Sequence, residues 1–597
     1  MEGAGPEGAR LQNGDRLKEI LHLRPYLARY KRYFVAGSVA LVATNFFTLL
    51  GPWVTKYAVD DIMRGASAGK FQQFALAIVV LAIAQGVFRY YMRRILIGAS
   101  RLIEYDLRND LFRKLLILSP DYYDRTKTGD IMARATNDLN AVRMFLGPGI
   151  MNFLGTIVTF AIAVSFMLAV DVKLTLFALA PLPILSVLVK KLGARTHLLF
   201  EDVQAEYSVL TARVQENLAG IRVVKAFVEE DAETAEFRKA NEVYVEKNLR
   251  LVRVWGAFFP IMSLLAGCAA VIVLDVGGRA VVGRQMSLGD FVAFSGYLGL
   301  LIWPTIALGW VMNLLQRGAA SMGRIQQILA EEPTIVGGRR EMPPVRGDLE
   351  LSGVTFHYAK DGRGVDDVTA RVRHGTTVAI VGETGSGKST LVDLLARLRD
   401  PAGGAIRFDG ADARELPLQA LRRAVGVVPQ EPFLFSDTIR ANIGYGIDGA
   451  DGPERERRIV DAAKAAGVWR EIESFPRGLD TLLGERGVNL SGGQKQRVTL
   501  ARAIAADPPI LMLDDALSSV DTGTEAEILA NLRRVFAGRT NVVISHRLSM
   551  VQEADQILVL EGGRVVEQGT HEELIRNGRV YPKIYERELL RRELDRM

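Results

Sequence analysis

The stretch Thr376–Leu398 reads TTVAIVGETGSGKSTLVDLLARL, and its reading decides the fold of the C-terminal half. Thr376–Val381 is an apolar, β-branched run, the pattern of a strand buried in a sheet. Gly382, Glu383, Thr384, Gly385, Ser386, Gly387, Lys388 and Ser389 follow at once and fit G-x4-G-K-[ST], with an amphipathic helical pattern running on through Thr390. Glycines in such a loop let backbone N–H groups converge on phosphate oxygens at a helix N-terminus, which favours anions. Lys388 is placed to reach the β- and γ-phosphates, and Ser389 to ligate Mg²⁺. The stretch predicts an α/β nucleotide-binding domain.

A second buried run, Ile510–Leu513, ends in two adjacent acids, Asp514 and Asp515. A nucleotide site of this kind needs a strand ending in an acid to hold Mg²⁺, and Asp514 supplies it. Asp515 then faces the region where water attacks the γ-phosphate, where a carboxylate can orient and polarise that water. Gln430 follows the strand AVGVVP, and its amide can sense Mg²⁺ and water; His546 follows TNVVIS and can hydrogen-bond a γ-phosphate. Each alone also reads as an ordinary polar residue at a strand end. Leu490–Arg497, LSGGQKQR, puts Ser491, Gly492, Gly493 and Gln494 at a helix start, a second phosphate-binding surface. One site has no need of two, so this surface is read as completing the site of a second, facing subunit.

Upstream the chemistry changes. The 597 residues are 49% hydrophobic and 24% charged, with mean hydropathy +0.13, which suits a chain half embedded in a membrane and half soluble. Apolar runs fall at Phe34–Val54, Phe71–Tyr91, Phe145–Val170, Leu174–Leu192, Trp255–Val276 and Phe291–Leu315. Each is near the ~20 residues needed to cross a hydrocarbon core. The segment after the second run is dense in Arg, whereas the first hairpin loop carries only Lys56, Arg64 and Lys70. The positive-inside rule therefore puts the long loops and both termini in the cytoplasm, an inner-membrane, multi-pass arrangement. The net charge of +6 follows these loops instead of forming a basic face, which argues against nucleic acid. The single Cys268 excludes an intrachain disulfide. Asn45, Asn152 and Asp275 lie in or near the spans, Thr156 and Thr159 sit in the third, and Asp275 is read as structural or interfacial.

The expected layout is a disordered N-terminus at 1–16, a membrane domain at 17–330, a linker at 331–348 rich in Pro, Gly and charge, and the nucleotide domain at 349–597. The cytoplasmic connections are polar with helical periodicity, so the membrane helices are expected to continue beyond the bilayer. Within them, Thr126–Val142 and Gln215–Asp231 each break a helical pattern at a Gly. Each is a transverse helix at the loop tip or a simple hairpin turn.

Together these residues resemble the ATP-binding cassette transporters: GETGSGKST, LSGGQ, ILMLDD, SSVD and ISHR occur in that family's order. The chain looks like an exporter half-transporter, an all-α membrane domain of six transmembrane helices with long cytoplasmic extensions, type IV exporter-like, fused to an α/β P-loop domain. The resemblance implies ATP and Mg²⁺ as ligands and a dimer as the working unit. It further implies that Tyr358 stacks on adenine, that Gln430 contacts the membrane domain, and that Asp521 is an inter-subunit loop acid. His546 becomes the switch histidine, and Thr128–Asp138 and Ala219–Phe227 become coupling helices. One position departs from the family. Asp515 stands where the catalytic base is normally Glu, and Asp shortens the reach by one methylene. The DDALSSVD form resembles one chain of bacterial multidrug-resistance-like heterodimers, in which one site binds ATP but hydrolyses it poorly. A homodimer with Asp515 as a slow base is the alternative, and an ATP-gated membrane switch with little transport is the alternative of another class. The expected cargo is amphipathic: drug-like, lipid or peptide.

Overall fold

The computed structural model describes residues 18–65, 67–358, 362–449, 452–520 and 522–594. The expected disordered N-terminus at 1–16 and the loop acid Asp521 lie outside them. The chain divides into two compact units. One comprises residues up to 116 together with 127–331; the other comprises 117–126 together with 332 onward.

The first unit is built from long helices. They are α1 (Lys31–Met63), α2 (Ala68–Ile117), α4 (Thr128–Val170), α5 (Val172–Leu179), α6 (Pro181–Ala219), α7 (Ile221–Phe227), α8 (Glu230–Ile272) and α9 (Leu288–Ala330). The short helix α3 (Pro120–Arg125) belongs to the second unit. Helix α2 has 50 residues, about 75 Å at 1.5 Å per residue, more than twice the ~30 Å of a hydrocarbon core. Among the described residues, α1, α2, α4 and α9 are long and apolar enough to cross a membrane. The run Leu174–Leu192, expected as one span, is divided between α5 and α6 at Ala180–Pro181, because proline fits the first turn of a new helix but not the interior of an old one. The run Trp255–Val276 leaves α8 through a wide-turn segment, Val273–Gly277.

The polar groups expected in or near the spans find partners. Asn45 donates to Leu41 O and accepts from the Thr159 hydroxyl at 3.0 Å, and Asn152 donates to the carbonyl of Pro148. Asp275 pairs with Arg279 one turn on. Helices α4 and α9 are joined by buried Asp138, which accepts from Ser321 Oγ and Arg324 Nε. Helices α1 and α9 are joined at their other ends by Asp60 and Lys56.

The loop tips separate the two transverse-helix expectations. Ile221–Phe227 is a helix of its own, bounded by Gly220 and by Val228, whose φ is +58°. Thr128–Asp138 is not: it runs into the 43-residue α4 without a break at Gly129. The separate short helix is α3, eight residues earlier, started by Pro120 at its first position and ended by extended Thr126.

The second unit holds two sheets. Strands β1 (Leu349–His357), β2 (Gly364–Val372), β4 (Gly403–Phe408) and β5 (Ala411–Asp412) form an antiparallel sheet in the order β2-β1-β4-β5. Strands β3 (Thr377–Gly382), β6 (Val425–Val428), β7 (Ile510–Asp514), β8 (Thr540–Ile544), β9 (Gln556–Glu561) and β10 (Arg564–Gly569) form the other, in the order β10-β9-β3-β8-β7-β6. All of its pairings are parallel except β9–β10. The register pairs Asp514 with Ile544, Leu513 with Val428 and Ile380 with Ile544. The C-terminal ends of β3, β6, β7 and β8 therefore finish side by side, and a crevice at those ends is where open parallel sheets bind ligands.

Candidate nucleotide site

The phosphate loop leaves β3 at Gly382 and enters α10 (Lys388–Leu395). Two of its glycines are needed for backbone reasons. Gly385 and Gly387 have φ of +84° and +100°, which side chains with a Cβ rarely adopt. At Gly387 an added Cβ would lie 2.7 Å from Gly364 O, so the loop is also pinned against β2. Buried Ser386 has an Oγ without a hydrogen-bond partner, an orphaned polar atom in a loop shaped for phosphate.

Lys388 Nζ donates to the carbonyls of Gly382 and Glu383 at 2.9 and 2.8 Å. Burial holds its pKa below the ordinary lysine value, opposed by Asp514, Asp515 and Glu383. Asp514, the last residue of β7, is buried and hydrogen-bonded to Ser389. Burial raises its carboxyl pKa above the usual range. Asp515 adds to that rise, and Ser389, Lys388 and His546 oppose it. Asp515 sits at φ +49° and donates its N–H to Ile544 O. Asp tolerates this left-handed region better than most residues, so the shorter acid suits the backbone it stands on.

Tyr358, Thr384, Gly385, Gly387, Lys388, Ser389 and Thr390 line one cavity of about 230 Å³ together with Gln430, Asp514, Asp515 and His546. Gly382, Glu383 and Ser386 belong to the loop without lining the cavity, and Glu383 faces away to Arg587 of α12 (Tyr581–Leu594) at 3.0 Å. Among the described residues no three His, Cys, Asp or Glu cluster as a metal cage. The donor set instead fits Mg²⁺, which is held by one or two carboxylates plus substrate phosphates: Asp514 and Ser389 are already in contact.

Ser491, Gly492, Gly493 and Gln494 do not line this cavity. Ser491 caps α11 (Gly492–Ala505) in a reciprocal box, its N–H bonded to Gln494 Oε1 and its Oγ accepting from Gln494 N. Sequence reasoning passed over two arginines that hold this region. Arg547 donates to the carbonyls of Leu517 and Val520 at 2.8 Å and pairs with buried Glu525, tying the His546 loop to the loop after Asp515. Arg399 is buried against Tyr358 and Phe356. In the sequence Arg547 stands only as the last residue of ISHR, and Arg399 only as a cation after the phosphate-loop helix.

Comparison with known proteins agrees with this geometry. Residues 34–305 match the family described as ABC transporter transmembrane region, and residues 365–518 match the family described as ABC transporter. The chain is 38% identical to a multidrug resistance-like ATP-binding protein, MdlA, of Escherichia coli, over 96% of both chains. It is 37% identical to a probable multidrug resistance ABC transporter ATP-binding/permease protein, YheI, of Bacillus subtilis, covering 95% of this chain and 96% of that one. An ATP-dependent lipid A-core flippase of Syntrophus aciditrophicus is 33% identical, over 96% of this chain and 95% of its own. Among solved structures, a bacterial Atm1-family ABC exporter with ATP bound superposes with a TM-score of 0.76 at 29% identity, covering 94% of this chain and 98% of that one. A membrane domain of the exporter type, continuous in one chain with a phosphate-loop domain whose strand ends converge on one cavity, makes this protein a multi-pass membrane ATPase of the ABC transporter family.

Proposed function

We propose that this chain is one half of a heterodimeric exporter that moves an amphipathic molecule out across the inner membrane, with its own nucleotide site weakly hydrolytic. One observation carries the reading. Asp515, an Asp where the family it resembles normally has Glu, lies in the cavity with Lys388, Ser389, Asp514 and His546, while the Ser491–Gln494 surface lies outside it. A chain built this way offers its signature surface to another chain's nucleotide and needs that chain's surface for its own. The relatives named for multidrug resistance and for lipid A-core flipping support an amphipathic cargo.

In this reading the loop N–H groups and Lys388 hold the phosphates, Ser389 and Asp514 would hold Mg²⁺, and Tyr358 takes the base. When bound, the metal neutralises phosphate charge. His546 and Gln430 hold the γ-phosphate and the attacking water in register. Asp515 accepts a hydrogen bond from that water, but from one methylene farther back than Glu. A misplacement of about 1 Å costs on the order of 10²-fold. Two bound ATPs close the domains, and the loop-tip helices carry that motion into the spans. Both termini face the cytoplasm, in keeping with the arginine-rich loops.

The test is Mg-ATPase in lipid nanodiscs, for the chain alone and with a second half-transporter. The expected result is a nearly inactive lone chain, an active pair, and a modest change in the pair on Asp515→Glu. A lone chain that dimerises and sustains ATPase which Asp515→Asn abolishes would overturn the heterodimer and make Asp515 the working base of a homodimer.

A further inference from the structure

Arg399 joins two places that the exporter reading uses separately. It lies four residues beyond the phosphate-loop helix α10, and its side chain is buried. The guanidinium carbon is 4.7 Å from the centroid of the Tyr358 ring and 5.6 Å from that of Phe356. Phe356 meets Tyr358 edge-on at 5.2 Å, so the tyrosine ring is held by a cation on its face and by a second ring at right angles. The same ring lines the nucleotide cavity.

The polar end of Arg399 faces three carboxylates. Its two terminal nitrogens pair with Asp121 and Asp124 of α3, and its Nε lies 3.5 Å from Asp393 on α10. Burial works against the arginine's charge, but Asp124, Tyr358 and Asp121 outweigh it and hold the pKa above the usual value. Burial raises the carboxyl pKa of Asp393 despite Arg399. Helix α3 is covalently continuous with α2 on one side and α4 on the other. A buried cation with three acids is commonly a structural pin. What goes beyond a pin is that the fourth group it touches is the ring facing the nucleotide.

We propose that Arg399 is a positioning residue that makes base binding at Tyr358 and seating of α3 depend on each other. With α3 in place, two carboxylates draw the guanidinium to the position in which it fixes the Tyr358 ring plane. With α3 displaced, Asp393 is the remaining carboxylate partner, and the ring loses its backing. The inference rests on the assignment of Tyr358 to the base.

The experiment measures equilibrium binding of ATP and of ribose 5-triphosphate, which lacks a base, to the full-length chain in nanodiscs. The ratio of the two Kd values isolates stacking from phosphate binding. Tyr358→Ala is expected to collapse that ratio by about tenfold or more, the usual scale of base–aromatic stacking. Asp121→Asn with Asp124→Asn, which alters only α3, is expected to lower it roughly threefold to tenfold, toward the lower end of couplings between side chains sharing one network. The same pair of changes is expected to have no further effect in an Arg399→Gln background, and Arg399→Lys to recover only part of the ratio. If Tyr358→Ala collapses the ratio and the α3 changes leave it at the wild-type value, or act additively with Arg399→Gln, the coupling is wrong and the site assignment stands. If Tyr358→Ala changes nothing, the base assignment fails and the coupling falls with it.

Discussion

Asp514 shows how a single side chain trades stability for function. Burial beneath the phosphate loop holds its carboxyl pKa above the ordinary range. The folded state then binds this proton more tightly than the unfolded chain does. Its contribution to stability is present below the unfolded-state pKa, near 3.9, and is lost as pH rises through the raised folded value. At neutral pH the charge is therefore a cost until a cation offsets it. Asp514→Asn is expected to raise the melting temperature of the nucleotide-free protein at pH 7. The gain should shrink as the pH falls toward the carboxylate range. The same variant should lose the further stabilisation that Mg-ATP gives the wild type. Thermal unfolding at pH 5 and 7, with and without Mg-ATP, checks both parts. A wild-type apo protein more stable than Asp514→Asn at pH 7 would show that Lys388 and His546 already offset the buried charge. Asp515 differs: it occupies a left-handed backbone position that a longer acid accepts less readily. Replacing it with Glu restores reach at some cost in local strain.

Among the elements, α1 and α9 are joined by polar contacts that no periodicity reveals. Ser287 caps α9 in a reciprocal box with Asp290, and Lys56 of α1 pairs with Asp290 at 2.6 Å. Asp60 of α1 accepts from Ser287 Oγ at 2.9 Å and from Gly289 N at 2.8 Å. The backbones come so close that a Cβ on Gly289 would sit 2.2 Å from Lys56 O. Asp60→Ala leaves the Gly289 N–H without its acceptor, while the Ser287 hydroxyl keeps Asp290 as a partner. Hydrogen bonds to charged groups contribute about 1.5–3 kcal/mol, so a loss on that order is expected in the unfolding of the membrane unit. Asp60→Asn should recover part of it by keeping an acceptor oxygen. Denaturation in nanodiscs, with the nucleotide-domain signal as an internal reference, separates this local loss from a general one. The elements also show where the sequence was readable. The phosphate loop, the strand ends and the long apolar helices are local patterns, each fixed by residues a few positions apart. The split at Pro181 was readable in principle, since the proline is in plain view. The placement of α3 was not. Its start at Pro120 competes in the sequence with a Gly129 that breaks nothing, and the contacts that decide it come from Arg399, 278 residues away.

At the scale of the whole molecule, the nucleotide cavity brings together residues from β3, β6, β7 and β8 that were legible one by one, because each follows an apolar strand. Their convergence follows from the parallel register. Arg399 and Arg547 were not legible, because a guanidinium that holds a loop leaves no spacing behind it. The proposed function leaves the second half of this chain's site to a facing subunit, and the last prediction turns on this. Gly492 is exposed, at the first position of α11, and an added Cβ meets its nearest neighbour, Ser519, at an ordinary 3.7 Å. An acid there suits the helix dipole, so Gly492→Asp should fold as well as the wild type. It also sets a negative charge on the surface proposed to meet the phosphates of a facing subunit. In a heterodimer, Gly492→Asp on this chain should abolish turnover at the partner's site. Lys388→Ala, which empties this chain's own weak site, should leave a substantial part of that turnover. In a homodimer every site contains both features, and the two variants should be equally inactive. Steady-state ATPase of the two purified complexes distinguishes these outcomes. If Gly492→Asp retained full turnover while Lys388→Ala abolished it, the signature surface would have no part in a facing site, and nucleotide would not join two chains.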